Sequence, residues 1–271
     1  MTPSPDRADP SPSATTAAPP VDRSLLDFAV ELARDAGEST LRWFRASDLT
    51  VDSKVDGTPV TAADRASERL VRERLAEHFP DDGILGEEEP ETAGTSGRRW
   101  IVDPIDGTKA FTRGVPLYST LLALDDEHGP AIGVIVIPAM RQAVYAGRGL
   151  GCWVDGAPAR VSATAALDGA YLTTSSYTHW DDDALLAVKH AGCLLRTWGD
   201  GYGYAMVATG QADAMVDPSV EVYDVAPMPV VLAEAGGRFT SVTGEPGATG
   251  GSGVATNGRI HDDLLAALRR P

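Results

Sequence analysis

The segment Trp100-Ile101-Val102-Asp103-Pro104-Ile105-Asp106-Gly107-Thr108 restricts the architecture more than any other stretch of the chain. Three consecutive apolar residues read as the end of a buried strand, and an acid follows at once. A buried carboxylate is costly unless something pairs with it, so core strands rarely end in two acids for structural reasons alone. Pro104 keeps Asp103 extended and turns the chain away after it. A turn between positions 103 and 106 lets both carboxylates face one point. Gly107 permits positive φ and close backbone approach, and Thr108 adds a hydroxyl. The N–H groups of Gly107 and Thr108 can face an anion.

Two further segments put acids at the same kind of boundary. Gly86-Glu87-Glu88-Glu89 follows Ile84-Leu85, and Tyr223-Asp224-Val225-Ala226 precedes a helix, where Asp224 alone reads equally well as a cap. Converging carboxylates repel one another unless protonated or bound to a cation, and an all-oxygen donor set suits Mg²⁺, Mn²⁺ or Ca²⁺ rather than zinc. The other metal-binding residue types argue the same way. His78, His128, His179, His190 and His261 are scattered, and Cys152 and Cys193 form no C-x-x-C pair. Neither a zinc site nor a disulfide framework can be assembled from them, and buried reduced thiols are expected. With 23 Lys+Arg against 39 Asp+Glu the net charge is −16, and no Lys/Arg run exceeds two residues. No nucleic-acid partner is expected for such a chain. No apolar run approaches the ~20 residues of a membrane helix, so no membrane partner is expected either. The start of the chain has neither a basic end nor an apolar h-region, which makes a cytoplasmic location the default.

Residues 1–20 are rich in Pro, Ser, Ala and Thr and are expected to form a disordered tail. A helix is expected from Asp22 or Ser24, with Leu25, Ala29, Leu32, Ala33 and Ala36 as its apolar stripe. Asp64 is expected to cap a second helix whose Leu70, Val71 and Leu75 face inward, ended by Pro80-Asp81-Asp82-Gly83. Strands are expected at 84–85, 100–102, 118–124, 132–137 and 144–145, with a hairpin at 125–129. Beyond them, strands near 170–174, 194–195, 214–216 and 239 alternate with helices at 183–189, up to 210, up to 235 and at 261–268. This alternation implies a layered α+β protein, divided softly into a part at 21–160 with the acidic motifs and a part at 161–271.

D-P-I-D-G-T after W-I-V, with G-E-E upstream and Y-D-V-A followed by E-A-G-G downstream, resembles the inositol-monophosphatase-like phosphatases. The match covers nearly everything after residue 21. It implies a layered αβαβα sugar-phosphatase fold and Mg²⁺-dependent hydrolysis of small phosphate monoesters, with two or three Mg²⁺ per site, and it suggests a homodimer. Carried over by resemblance, Glu87 is a metal ligand that also orients the attacking water. Asp103 and Asp106 are bridging metal carboxylates, Ile105 offers its backbone carbonyl to a metal, and Asp224 is the remaining ligand. Gly107 and Thr108 form the phosphate-holding turn, with the Thr108 hydroxyl also on the water. Asp64 matches an acid near a weaker third metal. Tyr223 stands where the family usually has Trp, and Pro227 and Pro229 are expected to shift or kink the following helix.

The substrate, a small phosphorylated metabolite, must be chosen by other residues. Lys109 follows the D-G-T turn and can meet a phosphate. Trp198-Gly199-Asp200-Gly201-Tyr202-Gly203-Tyr204 resembles the branch of this family that dephosphorylates histidinol phosphate in histidine biosynthesis. That ester carries an amine and an imidazole, which carboxylates at Asp200 and Asp217 would pair with. The competing reading makes Asp200 a helix cap and packs Tyr202 and Tyr204 in the core. Inositol monophosphate, 3′-phosphoadenosine 5′-phosphate and a non-catalytic, metabolite-binding role are the alternatives.

Overall fold

The computed structural model describes residues 18–47, 49–53 and 59–269. The first 17 residues of the expected tail lie outside this set. Within it, Pro19 offers its carbonyl oxygen to Arg148 Nε at 2.8 Å.

The first helix, α1 (Arg23–Thr40), is capped by Asp22, whose side chain accepts from Ser24 N. Its buried stripe is Leu26, Ala29, Leu32, Ala33 and Ala36; Leu25 is only half-buried. A short hairpin, β1 (Val51–Ser53) and β2 (Pro59–Thr61), leads into α2 (Ala62–His78). The cap of α2 is Thr61, not Asp64. Asp64 stands three residues into the helix and completes a capping box, its Oδ2 accepting from Thr61 N and Oγ1 at 2.7 and 2.6 Å.

Seven strands then form one sheet in the order β3 (Gly83–Gly86), β4 (Arg99–Asp106), β5 (Ser119–Asp126), β6 (Gly129–Ile137), β7 (Gln142–Gly147), β8 (Gly151–Val154) and β9 (Ala157–Pro158). Only the β3–β4 pair is parallel. A short helix, α3 (Thr108–Thr112), lies between β4 and β5. β4 does not stop at Val102. It runs on to Asp106, with a register shift against β5 between Asp103 and Asp106. Pro104 lies in that irregularity, where its missing N–H deprives the ladder of nothing.

The second sheet has five strands in the order β11 (Leu194–Arg196), β10 (Tyr171–Thr173), β12 (Ala214–Asp217), β14 (Gly253–Thr256) and β13 (Arg238–Thr240). Interleaved with them are α4 (Asp182–His190), α5 (Asp200–Ala208), α6 (Val222–Val225), α7 (Met228–Ala235) and α8 (His261–Leu268).

Strand alternation builds the layers. Leu122, Leu124, Val134 and Val136 pack against α1 and α2, while Leu121, Ile135 and Val144 face α5 and α7. The second sheet turns Met215, Phe239 and Ala255 to that same pair of helices and Leu172, Ala214, Val216 and Val254 to α4 and α8. The result is helix, sheet, helix, sheet, helix, the αβαβα arrangement. Pro227 and Pro229 divide what would be one helix: Pro227 caps α7 and Pro229 lies in its first turn, so α6 ends at Val225.

Candidate active site

The ends of β4, β3 and β12, the start of α2 and the starts of α5 and α6 meet at one place. Asp103, Asp106 and Asp224 each bring a carboxylate oxygen within 4.8 Å of the other two. Asp103 is buried, and its Oδ1 accepts from Ile105 N at 3.0 Å. Burial pushes its carboxyl well above the usual carboxylate range, helped by the charges of Glu87, Asp106 and Asp224 and by a hydrogen bond with Glu87. Asp106 is also buried and raised, first by desolvation and then by Asp200 and Asp224. Two donors offset this in part: Ser119 Oγ at 2.6 Å and the Gly201 N–H, both on Oδ2. Asp224, part-buried in α6, accepts from Glu221 N at 2.8 Å. Burial, then Glu87, Asp217 and Glu221, raise its carboxyl to about 7.

Asp64, on α2, stands outside that trio. Its side chain is fully buried and Glu87 is among the charges that raise it, yet Oδ1 has no hydrogen-bond partner. A buried orphan lone pair and a knot of mutually repelling carboxylates are what a hard cation relieves. The donor set is oxygen only, so these residues fit a metal of the Mg²⁺ type better than zinc.

Gly107 sits at φ 81°, in the left-handed region, and begins α3. Its missing side chain has a second consequence: a Cβ there would lie 2.6 Å from Asp200 Oδ2. The D-G-T turn and the W-G-D segment are thus in direct contact. Thr108 donates its hydroxyl to the Ile105 carbonyl at 3.0 Å, leaving that oxygen one further lone pair.

Asp200 is not the cap of α5. Gly199 holds that position, with no side-chain cap bond; Asp200 follows it at φ 54°, and its N–H donates to Ser175 Oγ at 2.7 Å. Burial and the Asp217 charge raise its carboxyl to about 6, against the pull of Ser175 and Lys109. Tyr204 is buried in the core, whereas Tyr202 is half-buried.

Asp217 is differently placed from a free partner for a cationic substrate. Its Oδ1 accepts from Ser175 N and Thr174 Oγ1, and its Oδ2 from Ser175 Oγ and Tyr204 Oη, at 2.8 to 3.3 Å. With four donors satisfied, it fixes the Ser175 loop that in turn holds Asp200. A cavity of about 290 Å³ opens beside this network, walled by Lys109, Ser176, Thr178, His179, Asp217 and Asp224.

Sequence reasoning missed Ser119, Ser175, Glu221 and His179. Each reaches the site through a contact with an element distant in the chain or from an irregular loop. Two had a local signal: Ser119, as a polar residue opening an apolar strand just beyond the acidic turn, and Glu221, which forms a capping box with Asp224 three residues on.

This layered fold with an acidic site is shared by a known family. The inositol monophosphatase family model matches residues 22–271, and the chain belongs to that family and is a phosphatase. Among its relatives are the histidinol-phosphatases of Mycobacterium tuberculosis, 45% identical with 90% of this chain and 97% of that protein covered, and of Chlorobaculum parvum, 40% identical with 90% and 96% covered. The solved structure of the extragenic suppressor protein suhB from Bartonella henselae superposes with a TM-score of 0.84 at 28% identity, over 91% of this chain and 99% of that one. Among the described residues no helix is long and apolar enough to cross a membrane.

Proposed function

We propose that this chain hydrolyses histidinol phosphate to histidinol and phosphate, using Mg²⁺. The observation that carries the proposal is the acidic Asp200, held against the Gly107 turn at the edge of a metal-type carboxylate cluster. The names of the relatives point to the same substrate.

Glu87, Asp103, Asp106, Asp224 and the Ile105 carbonyl would hold two Mg²⁺, with Asp64 near a third. When bound, the cations supply charge neutralisation for the phosphoryl group and lower the pKa of the attacking water. The chain's own residues do the positioning. N–H groups at Gly107 and Thr108 hold the phosphoryl oxygens, and the Thr108 hydroxyl and Glu87 orient the water. Lys109 adds a cation to the wall of the cavity. Asp200 pairs with the ammonium or imidazolium of the substrate, held in place by the Ser175–Asp217 network. The enzyme is expected to act as a cytoplasmic homodimer.

Phosphate release should be measured with Mg²⁺ over histidinol phosphate, inositol 1-phosphate, fructose 1,6-bisphosphate, 3′-phosphoadenosine 5′-phosphate and glycerol phosphate. Histidinol phosphate should give the highest kcat/KM. Losing one charge-assisted contact of about 1.5–3 kcal/mol, Asp200→Asn should reduce that value roughly ten- to hundredfold, at about 1.4 kcal/mol per decade. Glycerol phosphate has no cationic group, so its hydrolysis should change little. An unchanged ratio of the two activities removes Asp200 from substrate choice.

A further inference from the structure

Four residues beyond Asp64 on α2, Glu68 is completely buried and stands apart from the Asp103, Asp106 and Asp224 group. Its carboxylate is fully engaged. Oε2 accepts from Glu88 N at 2.8 Å, and Oε1 accepts from Glu89 N at 3.1 Å and Arg72 Nε at 2.8 Å. Arg72 in turn reaches over to the Glu89 carbonyl at 3.0 Å and to Thr92 Oγ1 at 3.2 Å. On the other side of Glu87, Gly86 faces the same carboxylate, and a Cβ there would be driven into it. Residues 86, 88 and 89 therefore all rest on one side chain, and Glu87 lies between them.

We propose that Glu68, backed by Arg72, is a positioning residue that sets the Gly86–Glu89 backbone so that Glu87 faces Asp103 and Asp64. This rests on the reading of Glu87 as a metal ligand. The chemistry requires a carboxylate. Two adjacent backbone N–H groups and a guanidinium all need acceptors, and only an ionised acid presents acceptors in both directions. A glutamine would turn an NH₂ toward one of those donors, leaving a buried N–H unpaired. Arg72 balances the charge, so the support adds little repulsion to the cluster beside it.

The experiment titrates Mn²⁺ into the full-length protein without substrate, followed by electron paramagnetic resonance, alongside circular dichroism and the Mg²⁺ dependence of phosphate release. Glu68→Gln should fold, bind Mn²⁺ roughly ten- to hundredfold more weakly and raise the Mg²⁺ concentration for half-maximal rate in parallel. At saturating Mg²⁺ its kcat should recover to within about threefold. Gly86→Ala pushes on the carboxylate from the loop side and should weaken Mn²⁺ binding in the same way, which decides the matter should Glu68→Gln fail to fold. In a Glu87→Gln background, Glu68→Gln should cause no further loss of Mn²⁺ affinity. If Glu87→Gln by itself leaves Mn²⁺ binding unchanged, the ligand reading fails. If Glu87→Gln weakens it while folded Glu68→Gln or Gly86→Ala binds like the parent, the positioning role is overturned.

Discussion

Replacing Asp224 by Asn should stabilise the protein in EDTA while removing its Mg²⁺-dependent activity. Asp103, Asp106 and Asp224 present oxygens within 4.8 Å of each other. At that distance two ionised carboxylates repel by about 3.5 kcal/mol at an effective dielectric constant near 20. The pKa of Asp224, raised first by burial and then by the charges of Glu87, Asp217 and Glu221, gives a second figure for the cost of its charge. Its carboxyl rises from 3.8 to about 7, for which linkage allows roughly 4 kcal/mol at most, and nearer 2 once its partial solvent access is considered. The sign follows from where the proton resides. Between pH 3.8 and about 7 the folded protein holds a proton that the unfolded chain releases, so this destabilisation is absent at low pH and complete above pH 7. Asparagine carries no charge, and its side-chain oxygen can still accept from Glu221 N. The variant in EDTA should therefore gain about 2–4 kcal/mol at pH 8.5, and the gain should fade toward pH 4. Urea denaturation of both proteins at pH 8.5, 7, 5.5 and 4 measures this directly. A loss of stability at pH 8.5, or a gain that does not vary with pH, would refute the argument. Phosphate release with Mg²⁺ should fall at least a hundredfold, and near-normal activity would remove Asp224 from the ligand set.

Ser119→Ala deletes a buried hydroxyl that donates to Asp106. It should lower stability in Mg²⁺ by roughly 1.5–3 kcal/mol in chemical denaturation, and a change below about 0.5 kcal/mol would show that the Gly201 N–H suffices. His261 is buried between the Thr240 and Thr256 hydroxyls, and burial holds its ring at about 4 rather than 6.5. Below pH 6.5 the unfolded chain takes up a proton the folded one refuses. The stability this neutral ring contributes should therefore fall by about 2 kcal/mol between pH 6.5 and 5. Urea midpoints of wild type and His261→Asn over that range should converge, and parallel curves would count against the assignment.

Much of the fold was legible because it depends on local period and turn chemistry. The stripe of α1, the apolar runs that become β5 and β6 and the Gly-bearing turn after Asp106 all follow from a few residues in sequence. The small misreadings are local as well. Leu25 for Leu26 is one step on a 3.6-residue period, and Asp64 for Thr61 confuses the two members of one capping box. The strand ending in two acids already pointed to a hard cation, and the resemblance of its flanking motifs to the family implied a phosphatase.

Tertiary structure alone decided how the acids divide their work. Asp200 and Asp217 read alike in the sequence, as carboxylates near a cationic substrate. In the fold, Asp217 spends all its acceptors on Ser175, Thr174 and Tyr204, while Asp200 lies against Gly107. Glu68, which no motif in the sequence singles out, is buried under the Glu87 loop. The reason is that a carboxylate's role depends on which donors and charges surround it. Those neighbours come from strands and helices brought together only when two sheets and three helical layers close on one another, and no spacing along the chain encodes that.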